Sequence, residues 1–172
     1  MRRNIELKMR CDDLNVARQR IFSLPATFQG ILHQIDTYFR SQQGRLKLRE
    51  ITSPDSQSAE LIWYDRPDAS EYRDSKFIVM PVADAAMMKA ILTAACGIRG
   101  EVRKRRDLYL LDNVRIHFDE VEGLGNFIEF EAQMDQNAAD ADSLARLHLL
   151  HETLGVHPSD HVQTSYSDLL GI

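Results

Sequence analysis

Two cysteines in 172 residues, Cys11 and Cys96, form no CxxC pair and no zinc-type spacing. Isolated thiols without a signal-peptide pattern suit a reducing compartment, so a cytoplasmic protein is expected. No apolar run approaches the roughly 20 residues that a membrane-spanning helix needs, so no membrane partner is expected. Positive net charge is also missing. The 21 Lys and Arg residues face 26 Asp and Glu, a balance of −5, which argues against a general nucleic-acid binder. No internal repeat is visible, and only residues 137–142 read as a low-complexity linker. What remains is 44% apolar and 27% charged, ordinary for one globular domain with a sizeable core.

The most informative stretch runs over residues 114–131. Two segments of strict polar and apolar alternation flank a turn containing Gly123 and Gly125, the pattern of a β-hairpin. Side chains two apart share a strand face. Arg115, His117 and Asp119 therefore share one face of the first arm. Glu129 and Glu131 share a face of the second, with Ile128 and Phe130 opposite. Three carboxylates on one sheet face repel one another unless cations sit among them.

The same period recurs along the chain. Glu6, Lys8 and Arg10 oppose Ile5, Leu7 and Met9. Gln34, Asp36, Tyr38 and Arg40 oppose Ile35, Thr37 and Phe39. Lys47 and Arg49 oppose Leu46 and Leu48, and Tyr64 and Arg66 oppose Leu61 and Trp63. Residues 76–82 read as a mostly apolar strand. Residues 101–106 and 108–112 read as a strand pair, with Lys104 and Arg106 on one face. Three helices are expected. The first is capped by Asp12 or Asp13 and carries Leu14, Ala17, Ile21 and Phe22. The second is capped by Asp84, carries Met87, Met88, Ile91, Leu92 and Ala95, and is stopped by Gly97. The third carries the stripe Leu144, Leu147, Leu150 and Leu154.

About eight strands, each with one apolar and one charged face, favour an antiparallel meander. The helices must cover the apolar face. The charged face is then either open to water, as in a two-layer α+β protein, or it lines the lumen of a closed sheet. By alternation it carries Lys8, Arg10, Lys47, Arg49, Arg66, Lys104, Arg106 and Arg115 against Glu6, Asp119, Glu129 and Glu131. That is a net of +4 in a chain whose total is −5. A concave basic face collects anions. Arg and Lys suit phosphate oxygens, and clustered carboxylates suit a hard divalent cation. A polyphosphate with Mg²⁺ or Mn²⁺ supplies both.

These residues resemble a known family, the CYTH domain of the triphosphate tunnel metalloenzymes. Its opening signature, Glu-x-Glu-x-Lys, is occupied by Asn4-x-Glu6-x-Lys8. Asp36-Thr37-Tyr38-Phe39 and Leu46-Lys47-Leu48-Arg49-Glu50 look like the next two tunnel strands. Lys104-x-Arg106 and Asp119-x-Val121-x-Gly123-Leu124-Gly125-x-Phe127-x-Glu129-x-Glu131 look like the later ones. The ending Ser165-Tyr166-x-x-Leu169-Leu170 is most similar to the class IV adenylyl cyclase branch. The resemblance covers nearly the whole chain, as one domain over residues 1–172. It implies an α+β fold: an antiparallel eight-stranded closed β-tunnel with helices packed outside.

The resemblance further implies that Glu6, Asp119, Glu129 and Glu131 hold Mg²⁺ or Mn²⁺. Lys8, Lys47, Arg49, Lys104, Arg106 and Arg115 would hold a nucleoside or inorganic triphosphate, and Lys8 and Lys104 would be the catalytic lysines. Two departures stand out. Asn4 replaces the first signature carboxylate, which bears on a second metal position. Arg66 stands near where the family often has a lysine, and it could take over the phosphate contact with a fixed charge. The function implied is a cyclase converting ATP to cyclic AMP and pyrophosphate. The alternatives are hydrolysis of inorganic or thiamine triphosphate, or a non-catalytic polyphosphate-binding module. A homodimer fits the expectation.

Other motifs yield plainer readings. No helix follows Gly123-x-Gly125, so it is a hairpin turn rather than a phosphate loop. Alternation splits Arg103–Arg106 across two faces. His148 and His151 lack a nearby thiol or paired acid and suit a surface role better than zinc. His117 either touches ligand or hydrogen-bonds to a carboxylate on its own face.

Overall fold

The structure, a computed structural model, describes residues 2–65, 73–134 and 140–172. Eight strands are present: β1 (Arg2–Arg10), β2 (Thr27–Phe39), β3 (Arg45–Thr52), β4 (Gln57–Asp65), β5 (Arg73–Val82), β6 (Ile98–Leu111), β7 (Val114–Val121) and β8 (Gly125–Met134). The helices are α1 (Leu14–Ile21), α2 (Ala85–Cys96), α3 (Asp140–Leu154) and a short α4 (Tyr166–Leu169).

All pairings are antiparallel, and the strands run β1-β5-β4-β3-β2-β6-β7-β8 before returning to β1. The fold is therefore α+β, with the sheet curled into a tunnel. β1 pairs with β8 from Arg3 to Arg10 and, among the described residues, with β5 from Arg2 to Glu6, which joins the two edges of the curled sheet.

The expected alternation decides which side of each strand meets the helices. Leu7, Met9, Ile116, Phe118, Ile128 and Phe130 point outward and are fully buried beneath Leu14, Ala17 and Ile21 of α1 and Leu147, Leu150 and Leu154 of α3. α2 lays Met88 and Leu92 over Phe39, Leu48 and Ala59. Asp13 and Asp84 cap α1 and α2 through their side chains, as the sequence suggests.

Five expectations need correction. Phe22 does not join the buried stripe of α1, because the helix ends at Ile21 and Phe22 caps it, 77% exposed. Met87 and Ile91 of α2 are exposed, so α2 buries a narrower stripe. Residues 101–112 do not form a pair of strands; they belong to the single strand β6, which begins at Ile98. The apparent break at Asp107 is absorbed because its carboxylate points outward and accepts from Arg18 of α1 at 2.7 Å. β2 begins at Thr27, earlier than the alternation suggests, because Gly30 (φ +131°) accompanies a register shift that interrupts the pattern. The expected linker at residues 137–142 enters α3 at Asp140, while residues 137–139 lie outside the described residues. Among the described residues, no helix is long and apolar enough to cross a membrane.

Candidate active site inside the tunnel

Pairing registers show which charged side chains meet. On the wall formed by β2, β3 and β6, Asp36 lies opposite Arg49, and Gln34 lies opposite Lys104. The Asp36 carboxylate accepts from Lys47 Nζ at 2.9 Å, Arg49 Nε at 2.7 Å, Arg49 Nη2 at 2.8 Å and Lys104 Nζ at 3.1 Å. Burial alone would raise its pKa, but the Arg49, Lys104 and Lys47 charges hold it well below the usual carboxylate range. Lys104 feels the opposite balance. Burial, with Arg49, Arg106 and Lys47 nearby, pushes it down to about 7 against the pull of Asp36.

The facing wall comes from β1, β7 and β8, with Arg106 reaching over from β6. Arg106 donates to both oxygens of Asp119, at 2.7 and 2.6 Å, and to Glu129 at 2.9 Å. Lys8 Nζ lies 3.5 Å from Glu129 and 4.0 Å from the centre of the Tyr166 ring. The Tyr166 hydroxyl donates to Asp119 at 2.8 Å. His117 is buried 3.5 Å from Glu129, and burial beside Arg106 lowers its pKa to about 4, so the imidazole is neutral.

Depth along the tunnel follows exposure. The side chains of Asp119 and Lys104 are 0% and 1% exposed, whereas Glu131 is 19% and Arg115 is 47%. Arg115 and Glu131 therefore stand toward the mouth. The deep end is filled by the tail. Tyr166, Leu169 and Leu170 pack with Tyr38, Tyr64, Val102, Val121 and Phe127, and Tyr166 meets Phe127 edge-on at 5.0 Å. Ser165 and Asp168 form a capping box that holds α4 in this position.

The residues anticipated for the site share this interior. Glu6, Lys8, Lys47, Arg49, Lys104, Arg106, Asp119, Glu129 and Glu131 occupy inward register positions, with Arg115 at the rim. Arg66 lies outside the described residues. Asp36, Glu60 and Arg45 share the inward phase and were not in the sequence count, which left out two acids and one base. Asp36 is the main functional candidate overlooked. Its alternation with Gln34 and Tyr38 placed it on the polar face, but its three cationic partners come from other strands. Tyr166 lies outside any strand, so periodicity carries no signal for it. Gln34 is also buried, and its Oε1 has no hydrogen-bond partner.

A divalent cation is a chemical fit for the opposite-register pair Glu6 and Glu131. Burial, followed by the charge of Glu6, holds the Glu131 carboxyl up at about 7. A surplus of crowded carboxylate oxygen is the donor set that a hard cation neutralises. Among the described residues, no three His, Cys, Asp or Glu side chains already converge in ligating geometry, so binding would draw these groups together. Asp119 is less free to join them, since both its oxygens already accept hydrogen bonds. His151 Nε2 lies 3.2 Å from His161 Nε2 on the α3 side of the molecule.

Comparison with known proteins points the same way. The CYTH domain matches residues 2–166. A Methanocaldococcus jannaschii protein provisionally named an adenylate cyclase is 23% identical, with 98% of each chain covered. A solved Pyrococcus horikoshii structure superposes with a TM-score of 0.83 at 23% identity, over 96% of this chain and 98% of that one. A Hippeastrum protein, described as an adenylyl cyclase candidate with a dominant triphosphatase activity, gives 0.67 at 12% identity, over 99% and 94%.

Proposed function

Because the chain belongs to the CYTH family, we propose that it is a divalent-metal-dependent enzyme that converts ATP to cyclic AMP and pyrophosphate inside the tunnel. The observation that carries this reading is the apposition of two unlike clusters. Lys47, Arg49 and Lys104 converge on one wall, and Glu6, Glu129 and Glu131 gather on the other. The first cluster suits phosphate oxygens, and the second would hold Mg²⁺ or Mn²⁺. A cation held there supplies charge neutralisation of the phosphate oxygens.

The protein's own groups would then act as follows. Lys47 and Arg49 orient the phosphate chain, with the Arg49 guanidinium as a fixed fork. Arg106 and Lys8 place positive charge beside the reacting phosphate, where it stabilises charge that develops in the transition state. Lys104 Nζ joins Lys47 and Arg49 on the phosphate oxygens, and a tunnel carboxylate takes the proton from the ribose 3′-hydroxyl. That oxygen bonds to the α-phosphorus, the bond to the bridging oxygen breaks, and pyrophosphate leaves. Arg115 would meet the ligand nearer the mouth.

The Hippeastrum relative's described triphosphatase activity supports a second reading, in which water attacks the terminal phosphorus on the same walls. The test is to supply ATP, inorganic triphosphate and thiamine triphosphate, each with Mg²⁺ and with Mn²⁺. Cyclic AMP with pyrophosphate is the expected outcome. A diphosphate with orthophosphate establishes the hydrolase instead. If no product forms but triphosphate still raises the melting temperature, the protein is a binding module.

Lys104 gives this reading a pH signature. Its pKa is depressed to about 7 from 10.5, so it is largely neutral in the empty tunnel above pH 7. An anion beside it favours the charged form. Triphosphate binding should therefore take up a proton at Lys104 between about pH 7 and pH 10, and affinity should fall as pH rises through that range. Calorimetry in two buffers of different ionisation enthalpy reads the uptake. The Lys104→Arg variant should lack this share of it.

A further inference from the structure

We infer that Asp36 is a positioning residue for the triphosphate, an internal anion that holds Lys47, Arg49 and Lys104 in their ligand-ready arrangement and yields them to the phosphate oxygens. This rests on the triphosphate reading of the tunnel. Asp36 is 1% exposed and accepts four hydrogen bonds from these three side chains. Three of these bonds fall on Oδ2 and one on Oδ1, so the Asp36 charge is already answered by three cationic side chains. That separates it from Glu131, whose charge is crowded by Glu6 and Glu129.

Strand order explains why the anion must come from β2. β3 supplies Lys47 and Arg49, β6 supplies Lys104, and β2 runs between them. Without a central carboxylate, three cations held close together in a buried wall repel one another. With it, the group carries a net charge of +2, since three cations face one anion. A carboxylate is also a planar pair of anionic oxygens, a smaller version of what a phosphate presents to the same donors. Triphosphate binding is then an exchange of one anion for another. Asp36 sets the directions of the donors before the ligand arrives, and it weakens ground-state affinity by competing for them.

The Asp36→Asn variant separates these roles. Calorimetry with inorganic triphosphate at pH 6.5, with metal chelated, should show at least tenfold tighter binding than the native protein, with a steeper salt dependence. With the substrate found active in the product assay, KM should fall while kcat drops tenfold or more. Asp36→Glu, which keeps the anion, should restore binding to within about threefold of native. If Asp36→Asn is unfolded in dilute buffer, recovery of its native circular dichroism on adding inorganic triphosphate supports the same conclusion, because the ligand then stands in for the missing carboxylate. Native binding combined with equal or weaker binding by Asp36→Asn overturns the inference, as does a variant that stays unfolded with ligand. Failure of the native protein to bind inorganic triphosphate at all overturns the triphosphate reading itself, and this inference with it.

Discussion

Replacing Arg106 by methionine should lower the melting temperature by roughly 10 °C and abolish turnover. Arg106 is buried, and its guanidinium donates to Asp119 twice and to Glu129 once. Removing it leaves buried Asp119 without its main cation and Glu129 with Lys8 as its remaining one. Breaking a buried ion pair in this way costs about 3–5 kcal/mol, and each kcal/mol shifts the melting temperature by about 2–4 °C in a protein of this size. Lys8, 3.5 Å from Glu129, offsets only part of the loss. Arg106→Lys keeps the charge but not the fork, so it should recover part of the stability and little of the activity. Thermal melts monitored by circular dichroism, with the product assay alongside, check both. A native-like melt for the methionine variant would show that these carboxylates do not depend on Arg106.

The second large effect is expected at Tyr166. Its ring packs against Phe127 at the deep end of the tunnel, lies beneath the Lys8 ammonium, and donates its hydroxyl to Asp119. Tyr166→Ala removes a buried aromatic side chain, a change that costs about 3–5 kcal/mol in protein cores. It also unseats Leu169 and Leu170, which pack in the same cluster. Tyr166→Phe keeps the ring and loses one hydrogen bond to a charged acceptor, worth about 1.5–3 kcal/mol. The expected order of melting temperature is native, then Phe, then Ala. Turnover should follow the same order, because Lys8 and Asp119 lose a fixed neighbour. A Tyr166→Ala protein that melts with the native one would show that the tail does not seal this end.

Much of this arrangement was legible because a strand has period two. Once residues 6–8, 47–49, 104–106 and 129–131 read as strands, the face shared by their charged side chains followed, and that face proved to be the interior. The caps at Asp13 and Asp84 were equally local. What escaped depended on partners distant in sequence. Asp36 looks like one polar residue among several until β2 is placed between β3 and β6. Asp107 looks like a strand break until Arg18 of α1 reaches it. Tyr166 belongs to a short tail helix whose role is set by where it docks.

The most direct test is a crystal structure of the protein grown with inorganic triphosphate and Mn²⁺, with data collected for the anomalous signal of manganese. The account predicts the phosphate chain inside the tunnel, its oxygens on Lys47, Arg49 and Lys104, with the anomalous peak at bonding distance from Glu131 and Glu6 carboxylate oxygens. Triphosphate bound only on the outer surface, beside Arg103 and Arg105, with no manganese in the tunnel, would contradict it.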